Sequence, residues 1–85
     1  MGKDQTVTVG LNVAQHVLWH FGDTNLGLQP GGYIEQLFRL MDHADLFNRE
    51  RLRLAYPEYA EAFFAVKNTH WGLEWLRKMV KAGIA

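Results

Sequence analysis

Read as one helix turning about 100° per residue, residues 58–82 place their apolar side chains on two stripes. The first holds Tyr59, Ala62, Phe63, Val66, Leu73, Leu76 and Val80. The second, on the far side of the same cylinder, holds Phe64, Trp71 and Trp75. A helix that is apolar on two sides has to bury both. One stripe can face the chain's own core, but 85 residues leave little material to cover the other. The pattern points to a contact surface and not to a reaction.

The rest of the chain is punctuated into short helical segments. Asn12 is a good capping residue for a first helix over residues 12–21, with Val13, Ala14, Val17, Leu18 and Phe21 on its buried face and Gly22 as its stop. Residues 23–32 are rich in glycine and include Asn25 and Pro30, which makes them a loop. A second helix follows over residues 33–44, where Ile34, Leu37, Phe38 and Met41 recur at i, i+3, i+4 and i+7. Asp45 or Asn48 can cap a third helix, which ends at Tyr56 because Pro57 follows. Pro57 itself suits the first turn of a fourth helix. Thr69 is a further capping residue, and Gly72 costs about 1 kcal/mol relative to Ala inside a helix, so residues 58–82 form either one rod or two helices.

Thr6, Val7, Thr8 and Val9 alternate like a half-buried strand, but no second run pairs with them, so residues 1–11 are expected to form an extended arm. The expected fold is therefore all-α: a compact single-domain bundle of four or five short helices with an N-terminal arm. Its core is expected at Val17, Leu18, Phe21, Ile34, Leu37, Met41, Phe63, Val66, Leu73 and Leu76.

Composition narrows the function. Nine basic and nine acidic residues cancel, so no overall field draws the chain to a polyanion or an anionic membrane. The absence of cysteine removes disulfides, thiolate zinc sites and thiol nucleophiles, and it fits a reducing compartment. No apolar run approaches the roughly 20 residues of a membrane span, and no signal-peptide core is visible, which leads to a cytoplasmic expectation. Gly2 and Thr6 fit the loose acylation pattern at an N-terminus, a match expected from chance.

From Asn48 onward the chain carries Asn48-Arg49, Arg51-Leu52, Ala55-Tyr56-Pro57-Glu58-Tyr59, Asn68-Thr69, Gly72-Leu73 and Leu76-Arg77. Together with the Gln29-Pro30-Gly31 turn and Ala44-Asp45, this set resembles a family of small uncharacterised all-helical proteins encoded by actinobacterial phages, mainly over residues 29–77. The resemblance implies a small phage accessory protein in the host cytoplasm, with no catalytic residues to carry over. Trp71 and Trp75 depart from the family pattern, which makes the second stripe particular to this chain.

Few residues suggest chemistry. His16 and His20 have the i, i+4 spacing of metal-binding helices, but the glutamate of His-Glu-x-x-His is missing. A third ligand from Asp23, His43 or His70 would have to come from the fold. The turn Gln29-Pro30-Gly31-Gly32 lacks the lysine and hydroxyl of a phosphate-binding loop, because Tyr33 and Ile34 occupy those places. No enzyme, cofactor or small-molecule substrate is expected. Arg49, Arg51 and Arg53, with Arg39 nearby, offer an alternative as a nucleic-acid patch, although Asp42, Asp45 and Glu50 would largely neutralise it. The favoured expectation is a protein-interaction module, a homodimer or the binder of a host protein, whose contact residues are Trp19, Phe64, Trp71, Trp75 and Lys78. Tryptophan suits that role because it joins a large apolar area to a polar N–H.

Overall fold

The computed structural model describes residues 9–83 and holds five helices: α1 (Leu11–His20), α2 (Gly32–His43), α3 (Leu46–Ala55), α4 (Pro57–Asn68) and α5 (Gly72–Ala82). No strand occurs among the described residues, and the fold is all-α. The acylation pattern at residues 2 and 6 and the alternating run at residues 6–8 lie outside the described residues.

The expected arm over residues 1–11 is too long at its C-terminal end, because Leu11 already belongs to α1. Gly10, and not Asn12, is the N-cap. The reason is tertiary: the Gly10 N–H donates to Glu58 Oε1 of α4 at 2.8 Å, while its carbonyl accepts the Ala14 N–H. A distant carboxylate thus satisfies a donor at the helix start that a local cap would otherwise have to serve. At the other end, Gly22 adopts φ +100°, and the Gly22 and Asp23 N–H groups donate to the carbonyls of Trp19 and Leu18. This is the left-handed glycine stop expected of a Schellman motif.

The glycine-rich connection then folds back along α1. Leu28 N–H donates to the Gln15 carbonyl, and Gln15 Nε2 donates to the Leu26 carbonyl. Asp23 Oδ1 accepts the N–H groups of Asn25 and Leu26, while its Oδ2 accepts Arg77 Nε of α5 at 2.8 Å. One side chain therefore shapes the loop and ties it to the last helix. These bonds hold the Asp23 carboxyl below the usual carboxylate range, the backbone N–H of Leu26 contributing most.

The later boundaries follow the local chemistry. Asp45 Oδ1 accepts the Asn48 N–H at 2.9 Å and caps α3, and Pro57 opens α4. The continuous rod over residues 58–82 does not form. Thr69 Oγ1 donates to the Ala65 carbonyl at the end of α4 and accepts the Gly72 N–H at the start of α5, so one hydroxyl serves both helix ends.

A single core draws on every helix, with α4 as the element that touches the other four. Phe38 of α2 stacks on Phe63 of α4 at 5.5 Å, and Phe63 also meets Phe21 at 5.1 Å. Of the expected core, Val17, Leu18, Leu37, Met41, Phe63 and Leu76 are buried, and Phe21, Ile34, Val66 and Leu73 pack against them partly exposed. Val9, Ala14, Phe38, Ala60, Ala62, Phe64 and Ala65 are buried as well.

Gly72 decides how closely α5 can approach α4. A β-carbon there would lie 2.3 Å from the Ala65 carbonyl carbon and oxygen and 2.6 Å from Val66 N. Those are backbone atoms, so the helices would have to separate. Inside a continuous helix, propensity alone would favour Gly72→Ala by about 1 kcal/mol. The close approach predicts the opposite sign, a loss of about 2 kcal/mol or more, read as a fall in the urea midpoint at unchanged slope.

Candidate protein-contact surface

The break at residues 69–71 dissolves the second stripe. Phe64 ends up only 4% exposed, because α3 lies across it and places the guanidinium carbons of Arg49 and Arg53 at 5.5 Å and 5.7 Å from the ring centroid. Phe64 therefore belongs to the core and is withdrawn as a contact residue. Trp75 is half-buried and packed against the core, with Trp71 edge-on to it at 5.7 Å. Trp71 stands at the N-cap of α5 with half its surface exposed, and Lys78 is exposed. Trp19 is half-buried on α1. The expected stripe is thus reduced to an edge at Trp71 and Lys78, because α3 covers Phe64 and Trp75 packs against the core.

Covering Phe64 has a cost on the other side of α3. The inward face of α3 presents Arg49, Leu52 and Arg53 towards α4, where Arg53 also pairs with Glu61 at 3.5 Å. None of the residues of α3 is buried. Its outward face carries Phe47, Glu50, Arg51 and Leu54, at i, i+3, i+4 and i+7. Phe47 is 65% exposed and Leu54 85%. Arg51 lies over the Phe47 ring at 4.3 Å, on the opposite side of the helix from Arg49 and Arg53. The three arginines are therefore split between two faces and do not form one basic patch.

Beside α3 runs an open cleft whose other wall is α2. A cavity of about 180 Å³ is lined by Leu40, His43, Ala44, Asn48, Arg51 and Leu52. A second of similar volume shares Leu40 and continues past Tyr33, Gln36 and Leu37 to Tyr56. Tyr33 and Tyr56 join their hydroxyls across its end. Leu40 is 59% exposed, and Arg51, which lines the first cavity, lies over Phe47, so the cleft adjoins the outward face of α3. The amphipathic reading of α2 pointed to its buried side and passed over this surface. On α3, Leu46, Phe47, Leu52 and Leu54 spread around the helix and form no single stripe, although the spacing of Phe47 and Leu54 about the Glu50-Arg51 pair is visible in the sequence.

The histidines of α1 are occupied by packing. His16 Nδ1 is 2.8 Å from the Tyr59 hydroxyl, with the two rings parallel, and His20 packs its ring against Phe21, Phe38 and Phe63. Two of the three suggested third ligands are engaged elsewhere: Asp23 with Arg77, and His43 Nδ1 with the Arg39 carbonyl. Among the described residues no three His, Asp or Glu side chains are placed to hold one ion. The Gln29-Pro30-Gly31-Gly32 turn simply leads into α2, with Gly31 extended at the N-cap.

Burial lowers the pKa of both His16 and His20 from the ordinary value, with Asp42 and Glu35 opposing the shift at His20 and Arg39 adding to it. A histidine whose folded pKa lies below its unfolded value binds protons more readily in the unfolded chain. Stability is then fully present above about pH 6.5 and declines as pH falls below it. The urea midpoint should therefore drop between pH 7 and about pH 5, before the carboxylates titrate, and His16→Gln with His20→Gln should flatten that decline. An unchanged slope in the double variant would place the pH dependence on other groups.

No family model, curated protein or solved structure matches this chain.

Proposed function

We propose that this protein is an interaction module that acts by contact and not by catalysis, and that its working surface is the outward face of α3 with the adjoining α2 cleft. The observation that supports this reading is a helix with no buried residue that nevertheless carries Phe47 and Leu54 at 65% and 85% exposure beside Leu40. Scattered exposed apolar residues are ordinary, but large exposed apolar side chains gathered on one helix and in the cleft that adjoins it suit an interaction site. The resemblance over residues 29–77 to helical proteins of actinobacterial phages fits an accessory role of this kind, exercised in a host cytoplasm. No helix among the described residues is long and apolar enough to cross a membrane. The nucleic-acid alternative loses its support because Arg49 and Arg53 are turned onto Phe64, where their charge is used within the fold.

Photo-crosslinking in expressing cells tests the reading. A photoreactive residue at Leu54 should give protein adducts, and the same residue at exposed Thr24, away from α3, should give far fewer. Equal, background-level adducts at both positions would refute the assigned surface.

A further inference from the structure

We infer that the partner of this surface is a second copy of the chain, paired antiparallel along α3 about a twofold axis; this rests on reading α3 as a contact face. A twofold contact requires a patch that is complementary to itself. Antiparallel pairing centred between Glu50 and Arg51 matches each residue with the one equally far across the midpoint. Phe47 then meets Leu54 of the second copy, and Glu50 meets its Arg51, each twice over.

The same four residues distinguish this arrangement from the parallel one. In a parallel pair Glu50 would face Glu50 and Arg51 would face Arg51, so like charges would oppose at the centre. Of their inward-facing neighbours, Arg49 is drawn onto Phe64, while Arg53, which also lies over Phe64, reaches Glu50 at 3.7 Å in an exposed i, i+3 pair, so in the dimer Glu50 meets the second copy's Arg51 in competition with its own Arg53. The apolar pairs supply the attraction. The exposed ion pairs add little affinity but set direction and register. Arg51 already lies over Phe47, so its guanidinium waits at the edge of the aromatic contact with room to meet a carboxylate.

Size sets the expected strength. Ten residues of helix extend about 15 Å, and two such helices bury less than the roughly 1,200 Å² typical of stable complexes. Even with Leu40 and the cleft beside Arg51 at its flank, the contact should be reversible. The dimer should form at high protein concentration and dissociate on dilution.

Charge exchange tests the pairing with the full chain. Sedimentation from about 5 to 500 µM should show the parent passing from monomer to dimer. Glu50→Arg alone and Arg51→Glu alone each set like charges against each other at both central contacts, and each should weaken self-association by about tenfold. Mixing the two single variants should restore it as a heterodimer, because one chain then offers only basic and the other only acidic residues there. The combined Glu50→Arg, Arg51→Glu chain should again pair with itself. Leu54→Asp should be monomeric throughout, with helicity and melting temperature preserved because the residue is 85% exposed. A parent that stays monomeric at the highest concentration overturns the proposal, as do single variants that pair like the parent or a mixture that fails to pair. Adducts at Leu54 with proteins of other mass, alongside a monomeric parent, would refute the second copy while leaving the contact surface standing. No adducts at Leu54 and a monomeric parent would refute both.

Discussion

The covering of Phe64 by Arg49 and Arg53 is the contact on which the arrangement of this protein turns. Phe64 of α4 meets the Phe63 ring edge-on at 5.5 Å and forms the side of the core that α3 covers. Two guanidinium groups over one ring contribute about 0.5–1 kcal/mol each when exposed and more when desolvated. The Arg49 Nε is buried with no hydrogen-bond partner among the described residues, so this guanidinium is partly removed from water on the Phe64 side. A helix attached through arginine stems and a ring needs few apolar residues on its inner face. Its remaining large apolar side chains, Leu46, Phe47 and Leu54, are left outside.

Three other contacts fix the platform that α3 rests on. Thr69 ends α4 and begins α5 with one hydroxyl, Gly72 lets their backbones meet, and Glu58 holds the start of α1 from the side of α4. The first two make α4 the reference for α5, and the third makes it the reference for α1. The Asp23–Arg77 pair then closes the glycine-rich loop against α5. Lys67 reaches back to Asp42 and ties α4 to the end of α2. The result is a rigid frame on four helices, with α3 laid along one side of it.

Much of this was legible from local chemistry. Pro57, Asp45, Gly22 and the i, i+3, i+4, i+7 run of α2 act through their own neighbours in sequence, and each marked its boundary or face within a residue or so. Thr69 and Gly72 showed where a rod would break, but propensity alone could not choose between one helix and two. That choice depends on a backbone contact between residues seven apart, Gly72 and Ala65, which no local preference encodes. Phe64 was misplaced for the same reason. Whether a stripe faces solvent depends on whether another segment crosses it, and the segment that does so is held by arginines, which sequence patterning assigns to water. The start of α1 moved from Asn12 to Gly10 because its cap is Glu58, 48 residues away.

The central claim is that α3 is fastened by one face only, with Phe64 beneath it and Phe47 and Leu54 open to solvent. Carbene footprinting of the dilute protein reads this directly, residue by residue. Heavy labelling at Phe47 and Leu54, with little at Phe64 and partial labelling at Leu52, is the predicted result. Protection of Phe47 and Leu54 in the dilute monomer, or labelling of Phe64 to the same extent as those two, would contradict it.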